Sequence, residues 1–163
     1  MTAVAVIADT HLPRGTRRLP DECVARLREA DLILHAGDFA AESVLEELEE
    51  FAPVAAVYGN VDEPALRARL PKERVVDVDG LRIGMTHVAG PALGRETRLR
   101  RRFPDCDAIV YGHTHVPQVD VSDGVWILNP GSPTERRRAP ARSMLVLRLE
   151  DGALEPELVI VGP

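Results

Sequence analysis

Ala3-Val4-Ala5-Val6-Ile7-Ala8-Asp9-Thr10-His11 decides how the rest of the chain is read. Its six small or β-branched apolar residues are too few for a helix and enough for a strand buried on both faces. Two polar residues, Asp9 and His11, follow at once. The same shape recurs twice nearby. Leu32 to His35 is a second short buried strand and leads into Ala36-Gly37-Asp38; Val54 to Tyr58 is a third and leads into Gly59-Asn60-Val61-Asp62. Leu19 to Ala30 reads as a helix between the first two, with Pro20 placed for its first turn and Cys23, Val24 and Leu27 along one face. Ala41 to Phe51 is a second helix, with Val44, Leu45 and Leu48 inward and Glu46, Glu47, Glu49 and Glu50 toward solvent. Glu63 to Leu70 is a short third helix, stopped by Pro71.

Beyond residue 70 the pattern changes. Val75 to Val78 and Leu81 to Thr86 flank Asp79-Gly80, a strong two-residue turn signal, and read as a hairpin. Gly94 to Phe103 reads as a helix and Ala108 to Tyr111 as a strand. Two more hairpins follow, Val119 to Val121 with Val125 to Leu128, and Ser143 to Leu149 with Leu154 to Val161. Alternating strands and helices followed by hairpins argue for mixed sheets with helices outside, and against a purely parallel doubly wound sheet.

The chain has 163 residues, enough for a single core, and reads as one domain over residues 1–163. Hydrophobic residues make up 45% and charged residues 28%, which excludes disorder as the main state. No apolar run approaches the roughly 18–20 residues that span a bilayer, and no basic segment with an apolar leader opens the chain, so a cytoplasmic location is expected. The net charge of −6 argues against a broad nucleic-acid surface. Cys23 and Cys106 are too few and too far apart for a disulfide framework or zinc knuckle, and read as small buried hydrophobes. Lys72 is the only lysine, so a cluster of arginines carries less functional weight here than in an average chain.

Five strand ends carry polar groups that can bind metal: Asp9-Thr10-His11, Gly37-Asp38, Gly59-Asn60 with Asp62, His87, and Gly112-His113-Thr114-His115. Strand carboxyl ends in such folds converge on one rim, which would gather two carboxylates, one amide and four imidazoles. Oxygen and imidazole donors without thiolate suit Mn, Fe, Zn, Ni or Co. In Asp-x-His and His-x-His the ligands are two apart, so in an extended segment both point the same way. Gly37, Gly59 and Gly112 would let the backbone turn sharply beside them. A carboxylate shared by two cations would set them roughly 3.5–4 Å apart, a spacing that clamps a phosphoryl group and activates water.

In this order the five motifs resemble the calcineurin-like metallophosphoesterase superfamily. Asn129-Pro130-Gly131-Ser132 is similar to a segment of its small single-domain branch, the YfcE-like phosphodiesterases. The resemblance implies an α/β (α+β) four-layer sandwich, two stacked mixed β-sheets flanked by helices. It implies that Asp9, His11 and His115 hold one metal, that Asn60, His87 and His113 hold a second, and that Asp38 bridges them. It implies two divalent transition-metal ions, manganese first, with nickel, iron, zinc or cobalt as alternatives. A hydroxide between them would attack phosphorus in line, with no covalent intermediate. Asp38, Asn60, His87 and Asp62 are assigned to catalysis, Asp62 by orienting His11 from behind. The substrate expected is a small phosphodiester, and a homodimer follows from family habit alone. The alternatives are a phosphomonoesterase with the same site, or a protein-binding scaffold of this fold such as the eukaryotic retromer subunit with its degraded site.

Two positions depart from the family pattern. Val61 stands where many members have a histidine that serves the leaving oxygen, so good leaving groups should be favoured. His87-Val88-Ala89-Gly90 lacks the glycine that commonly follows the histidine. Each motif also has a plainer explanation: Asp9 and Asp38 as helix N-caps, Asn60 as a turn residue, His35 as a core histidine, Trp126 as packing or a subunit contact. Arg98 with Arg100 to Arg102, and Arg136 to Arg138, read as solvated, salt-bridged faces, or as sources of one guanidinium for the substrate phosphate. Asn129 to Ser132 is a turn that could also brace the metal-site loops.

Overall fold

The protein, described over residues 1–163 by a computed structural model, runs as follows. The first half is β1 (Thr2–Ile7), α1 (Asp21–Glu29), β2 (Leu32–His35), α2 (Glu42–Glu49), β3 (Val54–Ala56) and α3 (Pro64–Arg69). The second is β4 (Glu73–Val78), β5 (Leu81–Thr86), α4 (Arg95–Arg102), β6 (Ala108–Val110), β7 (Gln118–Ser122), β8 (Val125–Asn129), β9 (Arg142–Glu150) and β10 (Ala153–Gly162). Each predicted element is present, with ends shifted by up to two residues. Pro20 does not enter the first turn; it precedes it with φ −59° and ψ 150°, an extended residue in the capping position.

Two five-stranded mixed sheets result, ordered β10-β9-β1-β2-β3 and β4-β5-β6-β8-β7. Alternation along the strands builds four layers. Val4 and Val6 of β1, with Leu34 and Leu145, Leu147 and Leu149 of β9, face Ile83, Met85, Val110 and Leu128 of the other sheet. Ala5 and Ile7 point the opposite way, with Ile33, Met144 and Val146, and meet Cys23 and Leu27 of α1 and Val44, Leu45 and Leu48 of α2. On the far side, Ile109, Tyr111 and Ile127 meet Leu99 of α4 and Phe103 after it. Each large side chain so buried contributes about 1.5–3 kcal/mol relative to exposure. Trp126 packs against the core between the sheets. Cys23 and Cys106 are buried and free. No helix is long and apolar enough to cross a membrane.

Close approach of α4 to its sheet depends on Gly84. A Cβ there would lie 2.6 Å from Phe103 Cδ1, and Phe103 is itself packed in the outer core. Gly84→Ala is therefore expected to cost about 1–3 kcal/mol of overpacking, read as a lowered chemical-denaturation midpoint with an unchanged m-value.

The topology delivers the candidate residues to one place. β1, β2 and β3 are parallel to one another, and so are β5, β6 and β8. The carboxyl ends of the two sets meet along a shared rim: the His87 ring after β5 bonds the Ala36 carbonyl after β2, and the His113 N–H after β6 donates to Asp9 after β1.

Candidate metal centre

Seven side chains converge on that rim. The ligand atoms of Asp9, His11 and His115 lie within 4.8 Å of one another, and those of Asp38, His87 and His113 form a second such group. Asn60 joins the second group, its Oδ1 3.0 Å from His87 Nε2 and 3.1 Å from His113 Nδ1. Asp38 lies between the groups. Its Oδ2 is 3.6 Å from His11 Nε2 and 3.1 Å from His87 Nε2, while its Oδ1 accepts the Val61 N–H at 2.9 Å. All of these were singled out from sequence, and the fold brings all seven together.

The backbone achieves this in a way the sequence reading did not anticipate. Five of the seven residues have left-handed φ: Asp9 57°, His11 48°, Asp38 62°, His113 72° and His115 62°. The Asp-x-His and His-x-His pairs are therefore not extended. Left-handed backbone costs an L-residue about 1–2 kcal/mol, and such residues gather where the surroundings over-determine them. Of the three glycines, only Gly37 has positive φ, at 97°. Gly59 and Gly112 are there for closeness: a Cβ on Gly59 would stand 2.1 Å from Asp38 Oδ1, and one on Gly112 3.1 Å from Asp9 Oδ2.

Asp62 holds the loops in this shape. Its Oδ2 accepts the N–H groups of Asp38 at 3.0 Å and Gly59 at 2.7 Å, and its Oδ1 that of Ala40 at 2.9 Å. The expectation that it orients His11 is corrected, because both oxygens are committed to backbone. Asp62→Ala would leave two buried N–H donors, Asp38 and Gly59, and the half-buried one of Ala40 unmet. The expected result is a loss of about 3 kcal/mol in denaturation and a 10–100-fold weaker metal affinity in calorimetry.

The second half of the chain supplies a brace. Ser132 Oγ donates to the Asp9 carbonyl at 2.8 Å, and Thr134 Oγ1 to the Thr10 carbonyl at 2.7 Å. Asn129 Nδ2 reaches the Gly112 carbonyl and Thr114 Oγ1, and its Oδ1 accepts the Gly131 N–H. The Asn-Pro-Gly-Ser turn thus does brace the site. The Glu135 carbonyl accepts from His115 Nδ1 at 2.6 Å, which leaves Nε2 free to coordinate. Thr134 and Glu135 were missed: nothing local marks a backbone carbonyl as a partner for a histidine 20 residues away.

Neither Asp9 nor Asp38 caps a helix; α1 begins after Pro20 and α2 after Ala41, both without a side-chain cap. His35 is a core histidine. It is fully buried, stacked 3.5 Å from Phe39, accepts the Gly37 N–H on Nδ1 and faces Thr10 Oγ1 through Nε2. Arg98 donates to the Ala89, Leu93 and Pro91 carbonyls, and Arg95 to the Gly90 carbonyl, so α4 ties down the loop after His87. Arg136 closes its own loop on the Ala139 carbonyl, and Arg137 lies 3.7 Å from Glu135.

Electrostatics fit a cation site. Burial pushes the Asp9 carboxyl up to about 7. Burial also lowers His11, His113 and His115, the last to about 4, so these imidazoles are neutral at pH 7. Burial opposes ionisation of both Asp38 and His87, but their mutual hydrogen bond and charge win, lowering the first and raising the second. Four buried side-chain polar atoms have no hydrogen-bond partner within the protein; two of them, Arg17 Nη1 and Glu135 Oε2, lie outside the ligand set, and the other two, Asp9 Oδ1 and His11 Nε2, face each other across 3.9 Å. A bare carboxylate oxygen and a bare imidazole nitrogen aimed at one point are costly unless a cation lies between them. Two carboxylates, four imidazoles and an amide, with no thiolate, suit a borderline divalent ion.

The chain is similar to known proteins in sequence and fold. The calcineurin-like phosphoesterase superfamily domain matches residues 2–152. A probable metallophosphoesterase of Methanothermobacter thermautotrophicus is 34% identical, over 98% of this chain and 92% of its own. The phosphodiesterase MJ0936 of Methanocaldococcus jannaschii is 25% identical, over 78% of this chain and 82% of its own. Among solved structures, the Thermotoga maritima protein TM1076 is 34% identical with a TM-score of 0.77, covering 98% and 99% of the two chains. Vps29 of Entamoeba histolytica, solved as a zinc complex, is 24% identical with a TM-score of 0.78, covering 99% and 100%, and is a likeness of fold.

Proposed function

The chain belongs to the calcineurin-like phosphoesterase superfamily, and from that premise we propose that it is a two-metal phosphodiesterase acting on a small phosphodiester. One observation carries the reading: two ligand groups share Asp38 Oδ2 while Asp9 Oδ1 and His11 Nε2 are left without protein partners. Asp9, His11 and His115 would hold one ion, Asn60, His87 and His113 the other, and Asp38 both. Manganese is the ion proposed; iron, nickel, zinc and cobalt fit the same donors. Such ions, when bound, clamp the phosphoryl oxygens and make a water acidic enough to attack phosphorus.

The chain's own residues do the positioning. His115 is fixed by the Glu135 carbonyl and His87 by the Ala36 carbonyl, so each presents Nε2 inward. Arg67 grips the Asn60 and Asp62 carbonyls at 2.7 and 3.0 Å and keeps the Asn60 amide in place. His113 is the most open of the four imidazoles and marks the side from which substrate would enter. Val61 is 45% exposed beside Asn60 and has no proton to give. The leaving oxygen then departs without help from that position, which favours stable leaving groups. The relative named as a phosphodiesterase supports the choice of diester over monoester.

The test is hydrolysis of bis-p-nitrophenyl phosphate and p-nitrophenyl phosphate during titration with manganese and then the other four ions. Faster diester cleavage is expected. Faster monoester cleavage would move the reading to a phosphatase, and no turnover with any of the five ions would overturn it.

A further inference from the structure

A cleft of about 230 Å³ opens directly from the Asn60 and His87 side of the candidate metal centre. Asn60, Thr86 and His87 line it together with Tyr58, Arg67 and Lys72. No acidic side chain lines it, although the chain carries 26 acidic residues against 20 lysines and arginines. Arg67 spends part of its fork on the Asn60 and Asp62 carbonyls and lies over the Tyr58 ring, its carbon 5.3 Å from the ring centre. Lys72, the only lysine of the sequence, is exposed at the rim. Its neighbour Glu73, the acid closest to it in sequence, is engaged with Arg102. Arg102, its charge matched by Glu73, in turn donates to Thr86 Oγ1 and the Val88 carbonyl and fixes the cleft wall.

We propose that this cleft is a subsite for a second phosphate, so that the substrate is a phosphodiester whose one ester arm carries another phosphate group, contacted by Lys72. The role as a substrate arm rests on the proposed phosphodiesterase reading. Two features argue for it. The cleft shares Asn60 and His87 with the metal centre, so a phosphoryl group held there would send one ester arm into it. Arg67 and Lys72, neither paired with an acid, also give a site that a dianionic phosphate satisfies and a neutral arm does not. Lysine suits this place as a compact charge on a flexible stem that can follow the phosphate.

Two measurements separate the subsite from the activity. In the first, the metal-free full-length chain is titrated with inorganic pyrophosphate and followed by 1H–15N NMR. Saturable shifts of the Tyr58, Thr86 and Val88 amides are expected, lost in Lys72→Met and regained in Lys72→Arg. No shift in the wild type, or an unchanged titration in Lys72→Met, would overturn the subsite. In the second, manganese-loaded protein hydrolyses thymidine 5′-(p-nitrophenyl phosphate) and the same compound bearing a 3′-phosphate. The KM for the 3′-phosphorylated compound should be about tenfold lower, and the two KM values should converge in Lys72→Met. Equal KM values in the wild type would overturn the substrate arm. If neither compound is cleaved, the phosphodiesterase reading fails and the pyrophosphate titration still decides the subsite.

Discussion

Asp38→Asn is expected to lower kcat/KM for bis-p-nitrophenyl phosphate by about a thousandfold, which corresponds to ~4 kcal/mol. The reason lies in the two jobs of its oxygens. Oδ1 is taken by the Val61 N–H, and Oδ2 faces both His11 and His87. An asparagine has one acceptor to offer. If its oxygen keeps the Val61 N–H, its NH2 group points into the space between the two ligand sets, where a shared anion is needed. If it flips, the NH2 meets the Val61 N–H. Either way the two groups lose the charge they have in common, and the metal content of the purified protein should fall below two per chain. The backbone around residue 38 is held by Asp62, which the substitution leaves in place. Thermal denaturation should therefore show a folded variant. A loss of less than tenfold would contradict the assignment.

Asp9→Asn should separate the cost of the site from its use. In the metal-free protein the Asp9 carboxyl is raised from 3.8 to about 7 by burial. Between those values the folded protein holds a proton that the unfolded chain has released. The contribution of this group to stability thus falls as pH rises from about 4 to about 7, and is lowest above 7. At about 1.4 kcal/mol per pKa unit, the penalty at pH 8 is on the order of 4 kcal/mol. Asparagine removes it, and its side-chain oxygen can still accept the His113 N–H that Asp9 Oδ2 accepts now. With chelator present, the variant should be more stable than the wild type at pH 8 and about equal to it at pH 4. With manganese present, the wild type should gain strongly at pH 8 and little at pH 5, and the variant should gain little at either. Denaturation at these pH values checks each part. A variant less stable than the wild type at pH 8 without metal would sink the account of Asp9 as an uncompensated buried carboxylate.

The strands and their polar ends could be read from the chain because both signals are local. A short apolar run bounded by Asp, Gly or Asn says where a strand stops, and an Asp-x-His or His-x-His pair names its own donors. The three hairpins were also readable, but not their places in the sheets. The third returns to the first sheet, where β9 pairs with β1 antiparallel, and β8 slips between β6 and β7. The clue was present in β9: Met144 and Val146 alternate with Leu145, Leu147 and Leu149, so both faces are apolar and the strand must be central. The left-handed backbone of Asp9, His11, Asp38, His113 and His115 was hidden for a different reason. These loops are held by partners distant in sequence: Asp62 for the loop after β2, Ser132 and Thr134 for the loop after β1, and Asp9 and Glu135 for His113 and His115 after β6. The role of Asp62 was misjudged on the same ground, since residue type alone does not distinguish a carboxylate that orients a histidine from one that gathers backbone N–H groups.

The central claim is that the seven strand-end residues hold two ions with Asp38 between them. Anomalous diffraction at the manganese edge, from crystals of the wild-type protein grown with manganese, tests it most directly. The account predicts two peaks, one against Asp9, His11 and His115 and one against Asn60, His87 and His113, both in contact with Asp38 Oδ2. A single peak, or none at these residues in metal-replete crystals, would contradict it.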